Sequence, residues 1–264
     1  MIQTPEAIIS SLSFVRGDGT KSLVELSEAA VLSAGLSAGR IGAVVAATFS
    51  SSDRFPALSV RIASKLGLPA YTPAFDINMA CSAYPYAVYL ASKLSADTGK
   101  ETLLVDGDAQ LSLVDPADHA TGAIFSDAVS VCLVGSSSKG SSTWRFYSKF
   151  DEALVCPQSG PIRMDGMKVF SFVASDVVAM LRDFISEAGD FDYFAPHQAN
   201  PYMIRQLGKS LGLENRLLTI PEEFKNPGSS SIPVALAMAG KKGRVLISGF
   251  GAGFSAAAGV VSVV

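Results

Sequence analysis

Cys81, His197 and Asn226 are the side chains whose types and settings could together make and break a thioester. A cysteine attacks through its thiolate. A histidine and an asparagine can each donate a hydrogen bond to a carbonyl oxygen that is gaining negative charge. Cys81 lies within Phe75-Asp-Ile-Asn-Met-Ala-Cys-Ser-Ala-Tyr-Pro-Tyr-Ala-Val-Tyr-Leu90. There an apolar, extended run gives way to helical spacing of Ala83, Ala87, Leu90, Ala91 and Leu94. A side chain on such a strand-to-helix turn meets the helix's free N–H groups and positive end, so the expectation is a depressed thiol pKa. The plainer reading is a small buried hydrophobe.

His197 ends an apolar run and opens Pro196-His-Gln-Ala-Asn200, just ahead of a capped helix. Reactive groups in open α/β sheets lie there, beyond the carboxyl ends of strands; a hydrogen-bonded structural histidine fits equally. The other histidine, His119, sits among Asp115 and Asp118 and reads as solvated or locally bonded. Asn226 precedes Pro-Gly-Ser-Ser-Ser and by itself is a turn asparagine. Gly249-Phe-Gly-Ala-Gly-Phe254 is either a glycine-rich turn or a loop able to bring a backbone N–H to a reacting oxygen. It is not a GxGxxG phosphate loop, because its spacing is wrong. Taken together, these groups form a constellation for acyl transfer through a thioester.

The elements that must position them follow from periodicity and punctuation. Ala7 to Val15 reads as a strand closed by Gly17-Asp18-Gly19, and Ser22-Leu-Val-Glu25 is a capping box opening a helix to about Ala34. Ile41 to Thr48 is a continuous apolar run, as in a strand covered on both faces. Pro56 to Leu66 reads as a helix, the Cys81 helix ends near Gly99, and Thr102 to Val105 and Ala128 to Val134 read as strands. Gly135 to Ser142 has linker composition, and Arg145 to Val155 reads as a strand pair. Gly166 to Ala188 reads as one long amphipathic helix and Phe191 to Ala195 as a strand. Asn200-Pro201 caps a helix to Gly212, Ser229 to Ala239 is a helix, and Val245 to Ser248 is a strand. The alternation argues α/β layers with largely parallel pairing. A helix, strand and polar loop at Lys21 to Ser52 recurs in pattern at Gly166 to Asn200, a faint internal duplication.

The 264 residues, 48% hydrophobic, support one large core or two fused halves. A net charge of −3 with no basic stripe argues against nucleic acid. The amino terminus lacks a signal-peptide pattern, and no uninterrupted apolar run reaches ~18 residues, so no membrane partner is expected. Cys81, Cys132 and Cys156 are odd in number and lack metal-ligand spacing. That suits a reduced, cytoplasmic protein without metal or cofactor.

The motifs resemble those of a ketoacyl-acyl-carrier-protein synthase of type III, a condensing enzyme of the thiolase fold. Phe75-Asp-Ile-Asn-Met-Ala-Cys81-Ser resembles that family's nucleophile segment, and Pro196-His197-Gln198-Ala199-Asn200 reproduces its His-Gln-Ala-Asn motif. Asn226-Pro-Gly-Ser-Ser-Ser-Ile232-Pro233, Phe250-Gly-Ala-Gly-Phe254 and Met164-Asp-Gly-Met-Lys-Val-Phe170 resemble three further family segments. The resemblance runs from about Leu26 to the end.

It implies an α/β thiolase-like fold with duplicated βαβαβ halves in a layered α/β/α/β/α core. One half, 1–140, would carry the cysteine, and the other, 141–264, the histidine and asparagine. Cys81 would hold the primer acyl group, with the N–H groups of Cys81 and Ala252 as its oxyanion hole. His197 and Asn226 would polarise a malonyl thioester as CO₂ leaves. The product would be a 3-ketoacyl thioester. The partners would be acyl carrier protein, acyl-CoA thioesters or both, and a second copy of the chain whose acyl pocket Phe55 would wall. Such enzymes serve fatty-acid or polyketide biosynthesis.

The chain also departs from the pattern. Its region ahead of Ser22 is shorter, and the missing family segment clamps the nucleotide end of coenzyme A, which shifts the expectation toward a carrier-borne primer. Arg205, Lys209, Arg216, Lys225, Lys241 and Lys242 could rim a docking site for an acidic carrier, with Arg205 and Lys209 foremost; ordinary solubilising charge is the alternative. Lys-Asn-Pro-Gly stands for Gly-Asn-Thr-Ser, Ser126-Asp127-Ala128 for Gly-Asp-Gly, and Ala252 for glycine. Tyr84, Tyr86 and Tyr89 either shape the pocket or pack their helix. An acyltransferase or thioesterase using the same Cys and His, and a non-catalytic subunit of a heterodimer, are the other functions considered.

Overall fold

The computed structural model describes residues 1–264. In chain order the elements are β1 Ile2–Arg16, α1 Leu23–Ser33, β2 Ile41–Ala47, α2 Leu58–Lys65, β3 Ala74–Ile77, α3 Ala83–Thr98, β4 Glu101–Asp108, α4 His119–Gly122 and β5 Ala128–Asp151. Then come β6 Leu154–Val155, β7 Arg163–Met164, α5 Gly166–Phe172, α6 Val178–Glu187, β8 Tyr193–Pro196, α7 Pro201–Leu211, α8 Ser231–Ala239, β9 Gly243–Gly251 and β10 Gly253–Val263.

Local chemistry sets the ends of these helices. Ser22 and Glu25 form the reciprocal capping box that opens α1, a device contributing about 1 kcal/mol. Asn200 accepts the Met203 N–H, Pro201 takes the first position of α7, and Gly212 closes it in the left-handed conformation. The long helix expected from Gly166 is interrupted by one π turn, Val173–Val177, between α5 and α6. Ion pairs are surface features: the bidentate Arg40–Glu101 pair is half exposed and contributes at most ~1 kcal/mol. Stability therefore rests on the apolar layers.

Eight strands form one sheet in the order β3-β2-β4-β5-β1-β10-β9-β8. The pairing is mixed, not largely parallel. β2 runs parallel to β3 and β4, β1 to β10, and β8 to β9, while β5 is antiparallel to β4, β1 and β10, and β9 to β10. The linker-like Gly135–Ser142 segment is strand throughout, because its small polar residues pair with β1 at a register shift. β5 thus runs unbroken through position 140. Arg145–Asp151, expected as half of a strand pair, continues it.

This pairing makes the faint duplication explicit. In the first half the spatial order is β3, β2, β4, β5, β1. In the second it is Leu217, which bridges parallel to Phe194 of β8, then β8, β9, β10 and the end of β5. Each position and each direction in one series matches the other. Three apolar clusters give the layers. α1 and α2 cover one face of the first half, and α6 and α7 one face of the second. α3 and α8 lie between the two halves. The small residues Ala83, Ala87 and Ala91 let the sheets close on α3. The result is the five-layered α/β/α/β/α, thiolase-like arrangement.

Candidate active site

Cys81 sits in a single 3₁₀ turn, Ala80–Ser82, between β3 and α3. Ala80 takes a positive φ of 43° to make that turn. In the second half, Asn226 holds the equivalent place, after the Leu217 bridge and before α8. His197 follows β8, as Thr48 and Phe49 follow β2. The duplication therefore delivers Cys81, His197 and Asn226 to one end of the sheets, and all three are buried.

The β9–β10 hairpin locks them together. Ser82 and Ser255 share a hydroxyl–hydroxyl hydrogen bond of 2.6 Å. A methyl on Gly249 would lie 2.8 Å from Ser82 Cα, and one on Gly251 2.8 Å from Cys81 Cβ, so the approach admits only hydrogen. The intervening Phe250 packs edge-on against the His197 ring. Ala252, at the hairpin tip, lines the cavity that holds Cys81. That cavity is about 200 Å³, and Phe49, Phe125, Leu154, Cys156 and Ile162 give it an apolar wall.

One short turn serves both remaining groups. Asn226 Oδ1 accepts the Gly228 N–H at 2.9 Å, which leaves its NH₂ end free to donate. Ser231 Oγ accepts the Gln198 N–H at 3.0 Å and lies 2.9 Å from His197 Nδ1. Ser231 can give its own proton to Nδ1, and in that arrangement the ring proton sits on Nε2. The Gly228–Ser230 turn touches the Ala80–Ser82 turn directly.

Burial sets the electrostatics. It pushes the His197 pKa down to about 4, with the Gly228 backbone opposing it only in part, so the ring is neutral at pH 7. The thiol departs from expectation. Burial first, then Asp108 and Asp106, push Cys81 up to about 12, and its backbone hydrogen bond only partly opposes them. The turn's geometry was legible in the sequence, but the depth of the site was not. Burial likewise raises Asp108 despite donors from Thr48, Phe49 and Ser50, and holds Asp106 well above the usual carboxylate range.

Other expected residues divide. Phe55 is 83% exposed and stands away from its own chain's cavity. Arg205 and Lys225 line a second groove, of about 440 Å³, that runs from Gln198–Pro201 to Pro221; Lys209 is on α7 but outside it. Arg205 also faces Glu222 at 3.7 Å, and Arg216 is folded back on the Phe191 carbonyl. Tyr84 is fully buried against Cys132, and Tyr86 and Tyr89 pack on Phe146, so none lines the cavity. His119 is exposed at the start of α4. Sequence reasoning missed Gln110, whose amide bonds the Ser126 and Asn226 carbonyls, and Ser231. The latter lay inside the quoted Asn226 motif and was the available signal.

Known proteins match both the sequence and the fold. Residues 75–150 match the family model described as 3-oxoacyl-[acyl-carrier-protein (ACP)] synthase III, and residues 185–263 match its C-terminal model. The beta-ketoacyl-[acyl-carrier-protein] synthase III of Streptomyces glaucescens is 31% identical over 91% of this chain and 80% of its own. That of Acholeplasma laidlawii is 30% identical over 85% and 76%. A solved 3-oxoacyl-(acyl carrier protein) synthase III from Pseudomonas aeruginosa PAO1 superposes with a TM-score of 0.87 at 25% identity, covering 97% of this chain and 98% of that one. At 24% identity, and so for the fold alone, a priming beta-ketosynthase of the R1128 polyketide pathway gives 0.83.

Proposed function

The chain belongs to the 3-oxoacyl-[acyl-carrier-protein] synthase III family, and from that premise we propose that it joins an acyl primer to a malonyl unit with loss of CO₂, through an acyl-Cys81 intermediate. Membership makes it an acyl-transferring condensing enzyme. The observation that carries the finer reading is the delivery of a buried thiol, a neutral imidazole and a free amide NH₂ to one end of the sheets, with the thiol in an apolar cavity.

In the first half-reaction Cys81 attacks the primer thioester. Its sulfur bonds to the carbonyl carbon, the carrier's thiol departs with the proton, and the N–H groups of Cys81 and Ala252 steady the oxyanion. In the second, His197 Nε2–H and Asn226 NH₂ donate to the malonyl thioester oxygen. The C–C bond to the carboxylate breaks, CO₂ leaves, and the electron pair stays as an enolate. Its carbon attacks the acyl-Cys81 carbonyl and returns the thiolate. Two neutral donors stabilise the enolate because the site is dry and they are already aimed.

A thiol pushed to about 12 is reactive only when a bound substrate supplies the setting for ionisation, so acylation is coupled to substrate arrival. A cavity of about 200 Å³ with an apolar wall suits a short, apolar primer. The groove ending at Arg205 and Lys225 takes the carrier's arm, and those cations meet an acidic carrier or a nucleotide phosphate. β3 is the free edge of the sheet and Phe55 and Tyr71 stand exposed nearby in sequence. They suit a homodimer in which Phe55 walls the partner's cavity. No helix is long and apolar enough to cross a membrane; we place the enzyme in the cytoplasm, whose reducing medium suits three free cysteines.

The test is intact-protein mass spectrometry after incubation with acyl-carrier-protein thioesters and, separately, acyl-CoAs, followed by malonyl-carrier protein. An adduct absent from Cys81→Ala and discharged as a lengthened ketoacyl product is expected. Discharge without lengthening would replace condensation by simple acyl transfer or hydrolysis. No adduct from any donor would point to a non-catalytic subunit.

A further inference from the structure

Cys81 belongs to the first half of the duplicated fold, whereas His197 and Asn226 belong to the second. Apolar packing between α3 and α8 joins the halves, and directional polar contacts add to it at the site. Polar contacts cross between them at the site in three places: Ser82 meets Ser255, the backbone of Ile124 and Ser126 brackets Asn226, and the end of β4 with the residues just beyond reaches the turn before α8. Asp106 and Asp108 share with Leu104 the strand face that looks into the central helix layer. Asp106 Oδ1 accepts the Ser229 hydroxyl proton at 2.6 Å. Asp108 Oδ2 stands 3.2 Å from where a side chain on Gly228 would begin. Gln110 Nε2 donates to the Asn226 carbonyl at 2.9 Å. A longer tie runs from Ser230 Oγ to the Ala128 carbonyl at 3.2 Å.

The backbones of His197 and Asn226 are held by Ser248, Ile124 and Ser126, but their side chains are oriented by the segment gripped by β4. The Gly228 N–H holds the Asn226 side chain, and Ser231 Oγ holds the His197 ring. We propose, on the reading of the reaction given above, that Asp106 is a positioning residue: acting through Ser229, it sets His197 and Asn226 at working distance from Cys81. A carboxyl group is a costly choice for this interior. Asp106 is 1% exposed, it has no cationic partner, and its Oδ2 has no hydrogen-bond partner. Packing alone would be served by an apolar residue of similar volume, as replacements of buried polar groups show. Retention of the carboxyl is accounted for by the one bond it makes. Burial pushes its pKa well above the usual carboxylate range, which favours the protonated form, and an amide keeps the oxygen that accepts from Ser229.

The reaction's two halves separate this role from a structural one. Acylation needs Cys81 and the hairpin; decarboxylation needs His197 and Asn226. Displacement of a reacting group by about 1 Å costs about 100-fold. Ser229→Ala should acylate Cys81 within about twofold of wild type, yet release CO₂ from malonyl-carrier protein at least ~10-fold more slowly, and Asp106→Ala should slow CO₂ release by the same factor. Asp106→Asn should recover to within about threefold, and the double alanine variant should be no worse than either single one. Thermal melts accompany the kinetics. Ser229→Ala deletes one oxygen and carries the test where Asp106→Ala does not fold. Equal loss of both half-reactions, additive losses, or failure of the asparagine variant to recover would overturn the proposal. Absence of an acyl adduct and of CO₂ release from the wild type would instead overturn the condensing reading on which it rests.

Discussion

Ser231 Oγ lies 2.9 Å from His197 Nδ1 and receives the Gln198 N–H, and with its own proton given to the ring it leaves the imidazole hydrogen on Nε2. A hydroxyl thereby decides which nitrogen of a buried imidazole carries hydrogen.

Ser231→Ala removes that decision. The ring becomes free to take the tautomer with Nε2 unprotonated, and the Gln198 N–H loses its acceptor. We expect kcat to fall about 10- to 100-fold with little change in KM, the pattern of a donor whose hydrogen bond strengthens in the transition state. Steady-state kinetics with malonyl-carrier protein measures it; a change confined to KM would contradict the assignment.

The buried imidazole also makes the protein acid-sensitive. The His197 pKa is about 4 in the folded chain against 6.5 ordinarily. Between those values the unfolded chain takes up a proton that the folded one refuses. Stability is thus intact above about pH 6.5 and lost as pH falls through about 4, by about 3 kcal/mol in full. Urea unfolding of wild type and His197→Gln between pH 7 and 4 should show the difference shrinking by that order. Turnover should show no limb near pH 6.5.

Cys81 behaves oppositely at the alkaline end. With its pKa pushed up to about 12, the free enzyme should react slowly with iodoacetamide at pH 7, and the rate should still be climbing beyond pH 9. Peptide mapping of the labelled sites resolves Cys81 from the exposed Cys156. Rapid, pH-independent labelling of Cys81 would mean the resting thiol is already ionised.

Lys225 precedes Asn226 with φ 54° and ψ −142°, near backbone territory essentially confined to glycine. Lys225→Gly should relieve strain and raise stability by about 1 kcal/mol, seen as a higher Tm, after the glycine's own entropy cost is subtracted. Because the side chain lines the groove beside Arg205, the same variant should raise KM for a carrier-borne substrate more than for an acyl-CoA.

Much of this could be read from the chain beforehand. The capping box at Ser22, Asn200-Pro201 and the glycines at helix ends act within a few residues, and their elements lie where the sequence puts them. The site motifs were legible because each sits at the end of an element and carries an unusual residue type. What escaped notice depends on distant partners. Gly135–Ser142 has linker composition, yet β1 pairs with it and makes it strand. The Cys81 turn has the geometry for an acidic thiol, yet β9 and β10 bury it. Gln110 carries no local signal, since its partners Ser126 and Asn226 lie 16 and 116 residues away.

β5 has a consequence for the order in which the protein can be built. Its early residues pair with β1 and β4, which precede it or lie close by, so that part can settle while the chain is still emerging from the ribosome. Arg145–Asp151 pairs only with β10, from Gly253 to Ala258, about a hundred residues later. Until those residues arrive, an apolar-flanked strand with open hydrogen-bonding groups waits at the surface, the kind of edge on which nascent chains associate. Soluble yield in cells should therefore depend on the last strand more steeply than its share of the fold suggests, and slowing synthesis across residues 152–252 should lower it further.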